Sequence, residues 1–101
     1  MREWRVVYDT QARDDIDDIY NYIASAASEA VAQGYVDRIR TSLSKLSFVP
    51  YQGRPADQYL PGLRITGFEG RVTIGFFVGE QEVRIFRVLY GGRDLAKAFR
   101  R

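Results

Sequence analysis

Apolar residues recur along this chain with two different periods, and the change from one to the other marks out its elements. Trp4 to Tyr8 reads as a short strand from its β-branched and aromatic content. Asp9-Thr10 follows, with side chains able to accept from the first free amides of a helix. From Gln11 on, Ala12, Ile16, Ile19, Tyr20 and Ile23 repeat at spacings of three and four, which predicts an amphipathic helix with one stripe toward a core. Asp14, Asp17 and Asp18 fall on its opposite side and Asp15 on the flank, an acidic start that suits the positive end of a helix dipole and a solvated face. Ser25 to Glu29 reads as a break with Ser28 as N-cap. A second stripe, Ala32, Val36, Ile39, Leu43 and Leu46, predicts a helix of about five turns that ends by Pro50 and forms a hairpin with the first. Gly34 lies early in that helix, where it costs about 1 kcal/mol relative to alanine. Either the two helices approach closely there or the second begins later.

Residues 51–62 are punctuated by Gly53, Pro55, Pro61 and Gly62 and read as one long loop. The period then changes to two. Leu63 to Phe68, Arg71 to Val78 and Glu82 to Tyr90 are strand-like runs joined by links short enough for consecutive antiparallel hairpins. The last run is expected to be the central strand, because both of its faces carry apolar groups: Val83, Ile85, Arg87 and Leu89 on one, Arg84, Phe86, Val88 and Tyr90 on the other. Gly91-Gly92 frees the backbone to turn, and Arg93 to Arg101 reads as a short helix or basic tail, with Leu95 and Phe99 packing back. The order β-α-α-β-β-β describes an α+β domain, a helical hairpin laid on a largely antiparallel sheet, with one domain over residues 1–101.

Composition narrows the chemistry. Hydrophobic residues make up 46% and charged residues 28%, as in ordinary globular chains. The chain has no cysteine and no histidine, so the nitrogen and sulfur ligands of zinc sites are missing, and neither a metal nor another cofactor is expected. No apolar run approaches a membrane span and the N-terminus lacks a signal peptide's apolar core, so a cytoplasmic protein with no membrane partner is expected. Net charge is +2 but uneven: residues 1–59 carry seven Lys and Arg against nine Asp and Glu, residues 60–101 eight against four. The basic C-terminal part suits an acidic or polyanionic partner.

A first strand ending in Tyr8, the acidic helix Asp-Asp-Ile-Asp-Asp-Ile-Tyr-Asn-Tyr-Ile, the Pro-Tyr-Gln-Gly-Arg-Pro loop, then Gly-Leu-Arg, Gly-Arg-Val and Arg-Val-Leu-Tyr-Gly-Gly-Arg-Asp-Leu occur in an order that resembles the ParE/RelE toxin superfamily. The resemblance spans nearly the whole chain. It implies the toxin half of a bacterial type II toxin–antitoxin pair, neutralised by a cognate antitoxin whose disordered segment folds on binding. It also implies that operator DNA is met only through that antitoxin.

Two mechanisms divide the superfamily. The RelE-like branch cuts messenger RNA on the ribosome, which requires a group to take the 2′-hydroxyl proton, a group to protonate the leaving oxygen, and cations on the phosphate. Arg71 and Arg87 match arginine positions of that branch and Tyr90 falls near its C-terminal tyrosine, but arginine is a poor proton shuttle and the acid–base set is incomplete. The ParE-like branch poisons DNA gyrase, and its Arg-Val-Leu-His-Gly-x-Arg-Asp pattern is close to the closing motif here, with Tyr90 in the histidine's place. The ParE-like reading is favoured. The alternatives are the messenger-RNA endoribonuclease and a non-toxic co-repressor that only binds antitoxin. On the favoured reading Tyr90, Arg93, Asp94, Lys97, Arg100 and Arg101 meet the target, and Ile39, Leu43, Phe76 and Phe86 meet the antitoxin. The bland reading of Arg87 is a structural ion pair with a helix carboxylate. Removing residues 93–101 is expected to abolish toxicity and spare antitoxin binding.

Overall fold

The computed structural model of the chain describes residues 3–92 and 94–99. Strand β1 (Arg5–Tyr8) leads into helices α1 (Thr10–Ala26) and α2 (Glu29–Ser44), followed by a 3-10 turn at Lys45–Ser47. Strands β2 (Arg54–Pro55), β3 (Arg64–Phe68), β4 (Val72–Val78) and β5 (Glu82–Tyr90) come next, then the short helix α3 (Leu95–Ala98). The five strands form one sheet in the order β1-β5-β4-β3-β2, antiparallel except for the parallel pairing of β1 with β5. The α+β order and the helical hairpin are as the periodicity predicts. The loop after α2 is not wholly irregular: Arg54 and Pro55 pair with Ile65 and Arg64 at the sheet's rim, where a strand can tolerate proline.

The main core lies between the hairpin and one face of the sheet. Ile16, Ile19, Ile39 and Leu43 from the helices meet Ile74, Phe76, Val83, Ile85 and Val88 from β4 and β5. Ser28 caps α2 by accepting from the Val31 amide, as expected. Asp9 does not cap α1. Its carboxylate turns back to pair with Arg84 on β5, while its backbone amide donates to the Ile85 carbonyl. The helical part of the second stripe stops at Ser44, and Leu46 reaches the core from the 3-10 turn.

Both explanations offered for Gly34 fail. The helix already begins at Glu29, and a Cβ built at Gly34 would meet nothing within 4 Å. Gly34→Ala is therefore expected to raise stability by about 1 kcal/mol, seen as a higher urea midpoint at unchanged slope.

The strand parity assigned to β5 holds only as far as Ile85. β4 pairs Gly75 with Arg87 but Phe76 with Ile85, so Phe86 is an extra residue in β5, a β-bulge. Beyond it the faces exchange. Val88 and Tyr90 join Val83 and Ile85 on the helix side, while Phe86 and Leu89 enter a second core on the other face with Leu63, Ile65 and Phe99. α3 covers that second face. The packing is close enough that a Cβ at Gly75 would lie 2.4 Å from a Phe99 ring carbon.

A candidate interaction site where α1 meets the end of β5

β1 pairs with β5 only as far as Tyr8 opposite Ile85, so among the described residues no strand lies beside the remainder of that edge of β5. α1 runs past that edge and supplies Asp15. Its carboxylate accepts from Arg87 Nε at 2.7 Å and Nη2 at 3.0 Å, and from the Val88 amide at 2.9 Å. Arg87 also donates from Nη1 to the Ala98 carbonyl at 2.9 Å, so one guanidinium joins α1, β5 and α3. The Arg87 and Asp15 side chains are only 14% and 11% exposed. The Asp15 hydrogen bond, outweighing the opposing effect of burial, holds the Arg87 pKa above its ordinary value. Asp14, Asp17 and Asp18 are exposed, as the solvated-face reading requires, but Asp15 is not a flanking surface carboxylate. Its signal in the sequence is faint: it sits one turn before Ile19, at the border of the apolar stripe.

Further along the same edge Tyr90 stands against two tyrosines that the sequence did not mark. Its ring centroid lies 5.7 Å from Tyr22 and 6.1 Å, edge-on, from Tyr35. Tyr22, one turn after Asp18 on α1, is 61% exposed. Together Asp15, Asp18, Ile19 and Tyr22 from α1, with Val88, Tyr90 and Gly91, line an open groove of about 460 Å³. Gly91 turns the chain away there with φ 82°, its amide donating to the Arg71 carbonyl across the hairpin.

Tyr35 is almost wholly buried between Phe68 and Tyr90, and its hydroxyl has no hydrogen-bond partner among the described residues. Burial raises its pKa, with Tyr90 and Glu69 acting in the same direction and Arg71 and Arg38 opposing. Because the folded pKa lies above the unfolded one, this stabilisation is complete below the unfolded value of about 10 and is lost as pH rises toward the folded value. Tyr35→Phe removes a buried, unpaired hydroxyl. It should be neutral or stabilising at pH 7 and should flatten the alkaline fall in stability, measured by urea titrations between pH 8 and about pH 11.

The remaining sequence-derived site residues scatter. Arg71 is exposed in the turn just before β4. Lys97 is exposed on α3, whose N-terminus Asp94 caps by accepting from the Lys97 amide at 3.3 Å. Arg93, Arg100 and Arg101 lie outside the described residues. The four positions expected to meet an antitoxin are core residues in this chain: Ile39 and Phe76 are 0% exposed, Leu43 1% and Phe86 9%. The stripe that makes them stand out in the sequence is the stripe that folding buries, so they present almost no side chain to a partner. Among the described residues no helix is long and apolar enough to cross a membrane, and no group of three or more Asp or Glu is placed to hold a metal ion.

A family model described as "ParE toxin of type II toxin-antitoxin system, parDE" matches residues 6–95. The chain belongs to the ParE toxin family. Its fold is similar to that of a chain in the chromosomal ParDE toxin–antitoxin system from P. aeruginosa, with a TM-score of 0.80 and 25% identity over 89% of this chain and 98% of that one. A chain of the RelBE2 toxin–antitoxin complex from Mycobacterium tuberculosis shares the fold at a TM-score of 0.64 and 22% identity, covering 89% of this chain and 93% of that one. No curated protein matches the chain. The edge, the Arg87–Asp15 pair and the tyrosine cluster thus belong to a toxin of the ParE family within the wider ParE/RelE superfamily.

Proposed function

We propose that this ParE-family chain inhibits DNA gyrase, blocks replication and is held inactive in the cytoplasm by a cognate antitoxin through which alone it reaches operator DNA. The observation that carries the choice of gyrase over messenger RNA is the commitment of Arg87. A nuclease of this fold needs its strand arginine free to meet a phosphate as charge develops. Here that guanidinium is spent on the buried Asp15 carboxylate and the Ala98 carbonyl. Tyr90 is turned to the helix side among Tyr22 and Tyr35, away from the α3 face. Arg71 alone supplies a cation but no proton transfer. The antitoxin partner is supported by the two similar structures, each from a toxin–antitoxin system. A net charge of only +2 favours indirect contact with operator DNA.

Pulse labelling of bacteria minutes after induction of the chain alone tests this. Thymidine incorporation should fall first with methionine incorporation intact, followed by inhibition of purified gyrase in a supercoiling assay. An immediate loss of methionine incorporation with thymidine spared would transfer the target to the ribosome.

Removing residues 93–101 is a poor probe of the target surface, because Phe99 is 0% exposed and belongs to the second core. Lys97→Glu reverses an exposed charge instead. It should weaken gyrase inhibition at least about tenfold while shifting the melting temperature by no more than about 2–4 °C, as surface substitutions do.

A further inference from the structure

We propose that Phe48, Val49 and Tyr51 form the apolar centre of the surface with which this chain grips its target protein, and that the target offers there an apolar patch edged by carboxylates. This rests on the gyrase reading, and it carries the target surface well beyond Lys97. Exposure is the first support. Folding leaves these three neighbouring side chains 56%, 52% and 63% exposed, while Leu46 before them is 1% exposed and Pro50 among them is buried. Monomeric chains commonly expose single apolar side chains but seldom a contiguous run of large ones. The run is also held in place. The Phe48 and Val49 amides both donate to the Lys45 carbonyl, at 3.0 and 3.2 Å, and the Gln52 amide donates to the Val49 carbonyl at 3.3 Å. Arg64 donates from Nη2 to the Tyr51 carbonyl at 2.7 Å, with its guanidinium 5.6 Å from the centre of the Tyr51 ring. Trp4 meets the same ring edge-on at 6.0 Å. A surface fixed in this way loses little side-chain freedom when a partner binds.

Charge selects the occupant. Residues 38–56 contain Arg38, Arg40, Lys45 and Arg54 but no Asp or Glu. Lys45 and Arg54 flank the apolar run, both are exposed, and neither pairs with a carboxylate among the described residues. Arg54 and Leu95 line a common hollow of about 200 Å³, which joins this cationic rim to α3, the carrier of Lys97. A protein surface with carboxylates around an apolar centre satisfies both parts, as aromatic anchors inside a charged rim do at protein interfaces. A second copy of the chain would not. Patch against patch brings two cationic rims together. Nor is the run a platform for nucleobases, because Val49 has no ring and Tyr51 is already engaged by Arg64 and Trp4.

Direct binding of purified gyrase by the purified full chain, with supercoiling inhibition measured alongside, tests this surface. Phe48→Ala and Tyr51→Ala should each weaken both about threefold, and the double variant about tenfold. Arg54→Glu should weaken both about threefold and lessen the loss of affinity that added salt causes in the parent. Val31→Ser, at another exposed apolar position on α2, should leave both unchanged. Because the substituted side chains are exposed, melting temperatures should stay within about 2–4 °C of the parent. A parent that neither binds nor inhibits gyrase would overturn the gyrase reading and the proposal with it. Inhibition by the parent that the Phe48 and Tyr51 substitutions leave intact would overturn the proposal alone. So would either of two other occupants: a dimer in sedimentation that the double variant abolishes, or binding of a labelled single-stranded oligonucleotide that Tyr51→Ala abolishes.

Discussion

Asp15→Asn should destabilise the chain by about 3–5 kcal/mol, the usual result of removing one partner from a buried ion pair. The native carboxylate accepts three hydrogen bonds, two from Arg87 and one from the Val88 amide. The amide has one acceptor oxygen where the carboxylate has two, and its NH2 group would face donors. Arg87 would keep its charge at 14% side-chain exposure with only the Ala98 carbonyl as a firm partner. Urea denaturation reads the loss directly, and the reverse experiment identifies its source. Replacing both members, as in Asp15→Asn with Arg87→Met, removes the stranded charge and leaves the side-chain amide oxygen to accept from the Val88 amide, so part of the loss should be recovered. A cost below about 1 kcal/mol for Asp15→Asn would mean a solvated pair. Arg87 would then be free to meet a phosphate, as ribonuclease chemistry requires.

Phe99→Ala should cost about 3–5 kcal/mol, as large-to-small changes at fully buried aromatic positions do. Its ring is 0% exposed, stacks on Phe86 at 6.3 Å and lies against Tyr59 at 5.7 Å. It also covers Gly75, where the absence of a side chain is what allows the approach. Gly75→Ala in the parent should therefore expel the ring and cost a comparable amount. In the Phe99→Ala background the clash is gone and the same substitution should be much cheaper. The double-mutant cycle tests the contact itself: additive costs would mean that α3 does not rest on Gly75. The consequence for function is direct. α3 is at once part of the second core and the carrier of Lys97, so only substitutions at exposed positions can separate target binding from folding.

Much of this architecture could be read from the chain. The stripes Ala12-Ile16-Ile19-Ile23 and Ala32-Val36-Ile39-Leu43 determined two helices and the faces they bury, because side-chain period and burial are set locally. Ser28 determined where α2 begins, and the short links at Glu69-Gly70 and Gly79 to Gln81 determined two hairpins. The motif order identified the superfamily, and the family match over residues 6–95 bears this out. Tertiary structure alone decided the rest, because each of these features depends on a partner distant in sequence. One inserted residue at Phe86 exchanged the faces of β5 beyond Ile85, which no count at period two reveals, since the bulge exists only relative to β4. Asp9 could cap a helix or pair with Arg84, 75 positions away, and the assembled sheet brings that cation within reach. Asp15 read as a surface carboxylate until the early end of β1 left the Val88 amide and Arg87 facing α1. The residues most visible in the pattern, Ile39, Leu43, Phe76 and Phe86, are visible because they are buried. Hydrophobic periodicity reports what folding removes from water, whereas a binding surface is what remains outside, and its composition follows no period that the sequence displays.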